Sequence, residues 1–370
     1  MPTSKWPISF NKPIIIAGPC SAESENQIFE TAKELKKIKQ VQLFRAGIWK
    51  PRTRPGCFEG VGVAGLPWLQ RVKNELKIPV TTEVANANHV EECLKHDIDV
   101  LWIGARTTVS PFAVQEIAEA LKGVDIPIMV KNPINADLAL WLGALERFEK
   151  VGITKIAALH RGFHTYEKSH YRNPPWWRIP IELKRRFPDM PLICDPSHIS
   201  GNRELIPRVS QKALDLDFHG LMIEVHPDPK NALSDNAQQL TPKALAQLLN
   251  DLNLKDSISP NDSFDQTLNG LRAKIDILDQ EILVQLKLRL EIVKEIGSLK
   301  SKNQVTALQV QRFKELMDKR ERQAFDLGLS SEFARELYQL IHNESVKVQT
   351  EQAKSDSNNA SENQSKNTLN

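Results

Sequence analysis

The sequence is poor in cysteine, tyrosine, long apolar runs and net charge, and each shortage argues against a class of protein. Its four cysteines, Cys20, Cys57, Cys93 and Cys194, are scattered without a Cys-x-x-Cys pair, which suits reduced thiols rather than a disulfide framework. No apolar run approaches the ~18 residues a membrane helix requires. The opening MPTSKWPISF also lacks the charged-then-apolar layout of a signal peptide, so the expected location is the cytoplasm, with no membrane partner. Against 49 Lys and Arg stand 46 Asp and Glu, a formal charge of +3. That balance gives no reason to expect a polyanion, and no basic stripe with interleaved aromatics marks a nucleic-acid surface.

What is present is the composition of a globular enzyme: 370 residues, 41% hydrophobic and 26% charged. The length allows two or three domains, or one large α/β barrel with an attachment. Short β-branched runs recur near 14–19, 41–46, 79–84, 100–104, 127–131, 154–160, 191–194 and 220–225, separated by segments of helical period such as SENQIFETAKELKKI and ADLALWLGALERFEK. These strand-plus-helix units predict a (β/α)8 TIM barrel over residues 1–252, with a doubly wound open sheet as the weaker alternative. The polar KDSISPNDS stretch reads as a linker, 253–264. Beyond it the strand signal stops and 265–350 reads as an all-α, three-helix domain. Its first helix carries an apolar seam of Leu271, Ile275, Leu278 and Ile282. The polar tail, 351–370, is expected to be disordered.

In such a barrel the reaction site lies at the C-terminal ends of the strands. Strand 1 ends near Cys20, strand 7 near His198 and strand 8 at Glu224, with Asp235 in the loop after it. Closure makes strands 8 and 1 neighbours, so a thiolate, an imidazole and two carboxylates share one arc, a set suited to a divalent first-row metal. The other strand ends carry Arg45, Lys50, Arg52, Arg106, Lys131 and Arg161, and Glu83 ends strand 3. A single rim cation is ordinarily just solvated; six at one mouth in a nearly neutral chain predict a small, multiply anionic and phosphorylated substrate.

The segments IAGPCSAES, FRAGIWKPRT, TEV, GARTT, VKNP, HRGF, CDPSHISG and EVHPDP…ALSDNAQQLTP resemble the 3-deoxy-D-arabino-heptulosonate 7-phosphate (DAHP) synthases of the type I fold, across about 14–241. The resemblance implies condensation of phosphoenolpyruvate with erythrose 4-phosphate at a divalent ion, Mn2+, Fe2+, Co2+ or Zn2+. It puts the metal ligands on Cys20, His198, Glu224 and Asp235, and Arg45, Lys50, Arg106, Lys131 and Arg161 around phosphoenolpyruvate. The run Lys50-Pro51-Arg52-Thr53 falls at the phosphate of erythrose 4-phosphate. Lys50 is the candidate acid for the aldehyde oxygen and Glu83 the candidate to orient water; Cys57 and Cys93 are expected to be structural and Cys194 packed. The synthases of the related eight-carbon sugar acid are the nearest rival, but carry an asparagine-containing segment where this chain has KPRT.

On the long helix, Arg289 and Lys300 are about 1100° and ~16 Å apart, so both project from one face and bracket one ligand. Arg272 lies ~25 Å from Arg289 and roughly 100° off that face, so it cannot reach the same ligand within its own chain; if it contributes, it does so from a second subunit, which would make the chain a homodimer. Ser345 and Gln349 share a face of the last helix. LRAKIDILDQEIL…RLEIVKEIGSLK…QRF…IHNESVKVQ resembles the AroQ-type chorismate mutases. That resemblance assigns chorismate and prephenate binding to Arg272 of the second chain, Arg289, Lys300, Arg312, Ser345 and Gln349, with Arg289, Lys300 and Gln349 catalytic. Phe313 stands where many members have a glutamate that holds the substrate hydroxyl, and Gln309 where some have an aspartate. Fused relatives imply inhibition of the barrel by prephenate through the helical domain. The alternative is a helical domain that only dimerises or regulates.

Overall fold

Runs such as Ile14-Ile15-Ile16-Ala17-Gly18 are buried along their whole length, because a barrel strand meets side chains on both faces and so reads as continuously apolar. The chain, a computed structural model, is described over residues 13–51, 56–166, 169–254 and 262–367. Eight parallel strands form a closed barrel in sequence order: β1 (Ile14–Gly18), β2 (Val41–Arg45), β3 (Val80–Val84), β4 (Val100–Ile103), β5 (Ile128–Lys131), β6 (Ile156–His160), β7 (Leu192–Cys194) and β8 (Gly220–Glu224). The predicted strands match these within a few residues, and the open-sheet alternative is excluded. Alternate residues divide between two cores: Ile14, Ile16, Leu43, Trp102 and Met222 fill the barrel, while Ile15, Ala17 and Phe44 face the helices.

Between the strands run α1 (Glu25–Lys36), α2 (Gly65–Leu76), α3 (Ala87–Lys95), α4 (Ala105–Thr108), α5 (Pro111–Ala120), α6 (Leu138–Lys150), α7 (Arg178–Arg186), α8 (Pro196–Ser200) and α9 (Ile206–Asp215), with α10 (Pro242–Asp251) closing the series. Side-chain caps start many of them: Ser24, Asn86, Ser110, Asp137 and Thr241 each accept a hydrogen bond from the N–H three residues on.

The chain divides after residue 257 into two compact units. The second is helical: α11 (Asp262–Lys302), α12 (Val310–Asp326) and α13 (Ser331–Asn367), with α11 and α12 both packed on α13. Ser330 caps α13 by accepting from Phe333 N at 3.2 Å. α13 runs on to Asn367, through most of the polar tail. No proline or glycine follows Gly328, so nothing stops a helix already nucleated upstream, and extension costs far less than nucleation. Most of the proposed linker, 255–261, lies outside the described residues. No described helix is long and apolar enough to cross a membrane.

Candidate active sites

Closure pairs β1 with β8, Gly18 opposite Glu224, and the residues just beyond these strands meet. Cys20 Sγ lies 3.3 Å from Asp235 Oδ2. Cys20, Glu224 and Asp235 each offer a ligand atom within 4.8 Å of the others. His198 borders them, with Nε2 4.0 Å from Asp235 Oδ2 and Nδ1 3.7 Å from Glu224 Oε1. Asp195 caps α8 by accepting from His198 N and places Oδ2 2.8 Å from His198 Nδ1, close enough for the carboxylate–imidazole pairing that orients a ligating ring, although Nδ1 makes no aligned hydrogen bond here. Asp235 adopts φ 47°, a left-handed conformation uncommon for a non-glycine residue and frequent at functional positions.

The donor set fits a divalent cation. Glu224 is fully buried, yet its Oε1 accepts no hydrogen bond although an Arg45 guanidinium nitrogen stands 3.3 Å away. A thiol, an imidazole and two carboxylates, one of them carrying that orphaned oxygen, match a first-row metal. Burial, and then Glu224, push the Cys20 thiol up to about 12, so it holds its proton at neutral pH until a cation displaces it. Burial also lowers His198, which favours the neutral ring a metal requires.

Above this cluster Lys50, Glu83, Arg106, Lys131, Arg161 and Arg172 line one small cavity at the strand ends. Lys50 Nζ is 3.1 Å from both Cys20 Sγ and Cys20 O. Burial opposes its charge, but Cys20, Glu224 and Glu83 outweigh that and raise it, so the ammonium keeps its proton. Glu83 accepts from Trp102 Nε1 at 2.9 Å and packs where Gly104 has no side chain; a Cβ there would stand 2.1 Å from its Oε1. Lys131 pairs with Asp195 at 3.0 Å. Arg161 donates to Asn173 Oδ1 at 2.8 Å and, lowered by burial to about 10, is still a cation at neutral pH. Arg45 lies beneath the cavity, buried with Glu224. Arg52 and Thr53 fall outside the described residues.

In the helical unit Arg289 donates to Ser345 Oγ at 2.6 Å. Gln349 is buried beside α11 where Gly297 permits close approach: a Cβ on that glycine would meet Gln349 Cα at 3.0 Å. Lys300 is half-buried and donates to Ala307 O at 2.7 Å. Arg272 and Arg312 stay at the surface, the first donating to Asn269 and the second 3.6 Å from Glu315. One chain thus assembles Arg289, Ser345 and Gln349 and leaves the other two arginines outside.

Each of the two clusters lies in a stretch that matches a known family. The family model for the DAHP synthetase I family matches residues 9–258. The chain belongs to the DAHP synthetase I family. Residues 271–350 match chorismate mutase type II, so this member of the family is a bifunctional enzyme joining a DAHP synthase domain to a chorismate mutase domain. A phospho-2-dehydro-3-deoxyheptonate aldolase of Thermotoga maritima is 32% identical over 64% of this chain and 68% of its own length. The crystal structure of a DAHP synthase from the same organism superposes with a TM-score of 0.58 at 30% identity, covering 64% of this chain and 67% of that one. A 2-dehydro-3-deoxyphosphooctonate aldolase of Variovorax paradoxus is 28% identical over 68% of this chain and 92% of its own.

The barrel also brings to the candidate ligands residues that the sequence did not mark. Arg172, on the loop after β6, reaches Asp235 Oδ1 at 3.1 Å and Gln238 Oε1 at 2.7 Å. Gln238 in turn donates to Glu224 Oε2 at 2.6 Å, and Asn173 on the same loop donates to His198 O at 2.6 Å. This loop is therefore wired to the candidate ligands. Asp195 was legible as a helix cap in Asp-Pro-Ser-His, with proline at the first helical position; Arg172 had no local signal. Cys93 and Cys194 are buried as expected, whereas Cys57 is exposed and packs against no core.

Proposed function

We propose that the barrel condenses phosphoenolpyruvate with erythrose 4-phosphate to give DAHP. The observation that carries this reading is the cavity of cations set directly over the Cys20–Glu224–Asp235 cluster. Cys20, His198, Glu224 and Asp235 would hold a divalent metal, which supplies Lewis-acid polarisation of the aldehyde oxygen. Arg106, Lys131 and Arg161 bind the phosphate and carboxylate of phosphoenolpyruvate, with Arg45 supporting them from below. Arg52 and Thr53 serve the aldehyde's phosphate. Lys50, protonated and within the cavity, delivers the proton that the aldehyde oxygen gains as its carbon accepts the enol carbon. Glu83, held by Trp102, orients the water that adds at C2 before phosphate leaves.

Purified protein given phosphoenolpyruvate and erythrose 4-phosphate should release phosphate only with a divalent metal. Cys20→Ala and His198→Ala should lose that turnover and the bound metal together while sparing the mutase. Metal-independent turnover by chelated protein would sink the metal reading, and preference for a five-carbon aldose phosphate would favour the octulosonate reading instead.

The helical unit, on the same proposal, rearranges chorismate to prephenate as a homodimer. Cations and amides suffice for this reaction, which needs a compact conformer and stabilised charge on the breaking ether oxygen rather than acid, base or nucleophile. Arg289, Ser345 and Gln349 supply part of such a pocket in one chain. The seam of Leu271, Ile275, Leu278 and Ile282 is 52%, 55%, 56% and 55% exposed in the single chain, an apolar stripe that a second copy would cover while bringing in its Arg272. Arg312 closes the pocket in that assembly. Prephenate bound there lowers synthase activity. Loss of chorismate on mixing with the full chain tests the catalytic reading against a silent dimerisation module.

A further inference from the structure

The mutase reading leaves one group of its substrate unmet. Chorismate carries two carboxylates, an ether oxygen and a ring hydroxyl; Arg289 and Lys300 suit the anionic groups and Gln349 the ether. Phe313, where the resemblance to the AroQ-type mutases would put a glutamate for that hydroxyl, offers no hydrogen bond. We propose that His342 holds the ring hydroxyl of chorismate and makes up for Phe313, an inference that rests on the mutase reading above.

His342, Ser345 and Gln349 form one stripe of α13. Seven residues separate the first from the last, about 700°, which is roughly 20° short of two full turns. Ser345 in the middle of the stripe is bound to Arg289 at 2.6 Å, so the stripe looks toward the Arg289 side of α11. The ring of Phe313, from α12, lies 4.2 Å from the His342 ring between centroids, inclined by 34°. The phenylalanine therefore packs against the imidazole and limits its rotation. His342 Nε2 is buried and has no hydrogen-bond partner. A buried ring nitrogen without a partner is costly, and a ligand hydroxyl that pairs with it recovers that cost.

The neighbouring charges say what kind of ligand group belongs there. Burial lowers His342, and Arg289 and Lys300 lower it further, so the ring is neutral at neutral pH. A neutral imidazole donates or accepts one hydrogen bond without adding charge. It is matched to a hydroxyl, whereas a carboxylate is better met by the two cations beside it.

The test uses the full chain. For wild type, His342→Leu and His342→Gln, kcat/KM is measured with chorismate. Inhibition constants are measured for two stable bicyclic dicarboxylate ethers that mimic the rearranging conformer, one bearing the ring hydroxyl and one with hydrogen in its place. His342→Leu should lower kcat/KM about 10-fold or more and weaken the hydroxylated mimic to the same degree, while changing the deoxy mimic by less than about 2-fold. His342→Gln, which keeps a hydrogen-bonding group, and the double variant His342→Leu with Phe313→Glu should each recover part of the loss. Unchanged helical circular dichroism and an unchanged melting transition of the helical unit show that each variant is folded there; if His342→Leu fails that control, the ratio of the two mimics in His342→Gln carries the test. Equal weakening of both mimics would assign His342 to packing alone and overturn the proposal. A wild-type chain without mutase activity would instead overturn the reading on which it rests.

Discussion

Replacing Asp195 with asparagine preserves the shape of the side chain and removes its charge. Asp195 is fully buried, and its Oδ2 is shared between Lys131 Nζ at 3.0 Å and His198 Nδ1 at 2.8 Å. Without it Lys131 becomes a buried cation lacking a counter-charge, a loss of about 3–5 kcal/mol when one partner of a buried pair is removed. Lys131 borders the cavity and regains some hydration there, so the lower end, about 3 kcal/mol, is expected. In a domain of about 150–250 residues each kcal/mol moves the melting temperature by about 2–4 °C, which puts the fall for the barrel at about 6–12 °C. The same change frees the His198 ring and should weaken metal binding by about 10–100-fold, the usual effect of losing a carboxylate behind a ligating imidazole. Scanning calorimetry reads the first effect and competition with a chromophoric chelator the second, with mutase activity as the internal control. The pH dependence has a definite sign. Burial alone would raise the Asp195 carboxyl, but His198 and Lys131 outweigh it and hold it well below its usual range. A depressed carboxyl stabilises the folded state at neutral pH and loses that contribution as pH falls through its folded value, so the gap between wild type and Asp195→Asn should be full at pH 7 and narrow in acid. A variant that melts within about 2 °C of wild type at pH 7 and binds metal equally well would refute both the pairing and the orienting role.

Because the Cys20 thiol is pushed up to about 12, metal binding near neutral pH should expel about one proton per ion from it. Calorimetric titrations in buffers of different ionisation enthalpy count that proton, and a count of zero excludes Cys20 as a ligand. Arg289→Ala should lose about 2–5 kcal/mol of transition-state stabilisation in the mutase reaction, read as kcat/KM, with the synthase unaffected. Mixing Arg272→Ala with Arg289→Ala chains should restore part of the mutase activity through one intact shared site. No recovery despite demonstrated subunit exchange counts against the dimer. A chain ended after Lys255 should lose mutase activity and prephenate sensitivity together; a barrel that stays equally sensitive would show that prephenate acts elsewhere.

The barrel was legible in the sequence because its signals are local. Continuous apolar runs such as Ile14 to Gly18 repeat at regular intervals, capping residues such as Ser24 and Ser110 precede the intervening helices, and a polar break precedes a change to helical period. Strand ends then located Cys20, His198 and Glu224 without coordinates, since a closed barrel puts all strand ends at one mouth. Helix arithmetic alone separated Arg272 from Arg289. Other features depended on the path of loops and on which side chains meet across large sequence separations. The reach of Arg172 to Asp235 spans 63 residues and depends on the course of the long loop after β6, which no periodicity encodes. The division of Asp195 between Lys131 and His198 arises only when β5 and β7 stand in the same barrel. Only the resemblance to the AroQ-type mutases marks Phe313 as standing in place of a carboxylate, and only the packing of α12 on α13 brings the His342 ring to its side. The continuation of α13 to Asn367 likewise escaped composition, which reports the absence of a core but not the low cost of extending a helix begun at a capped terminus.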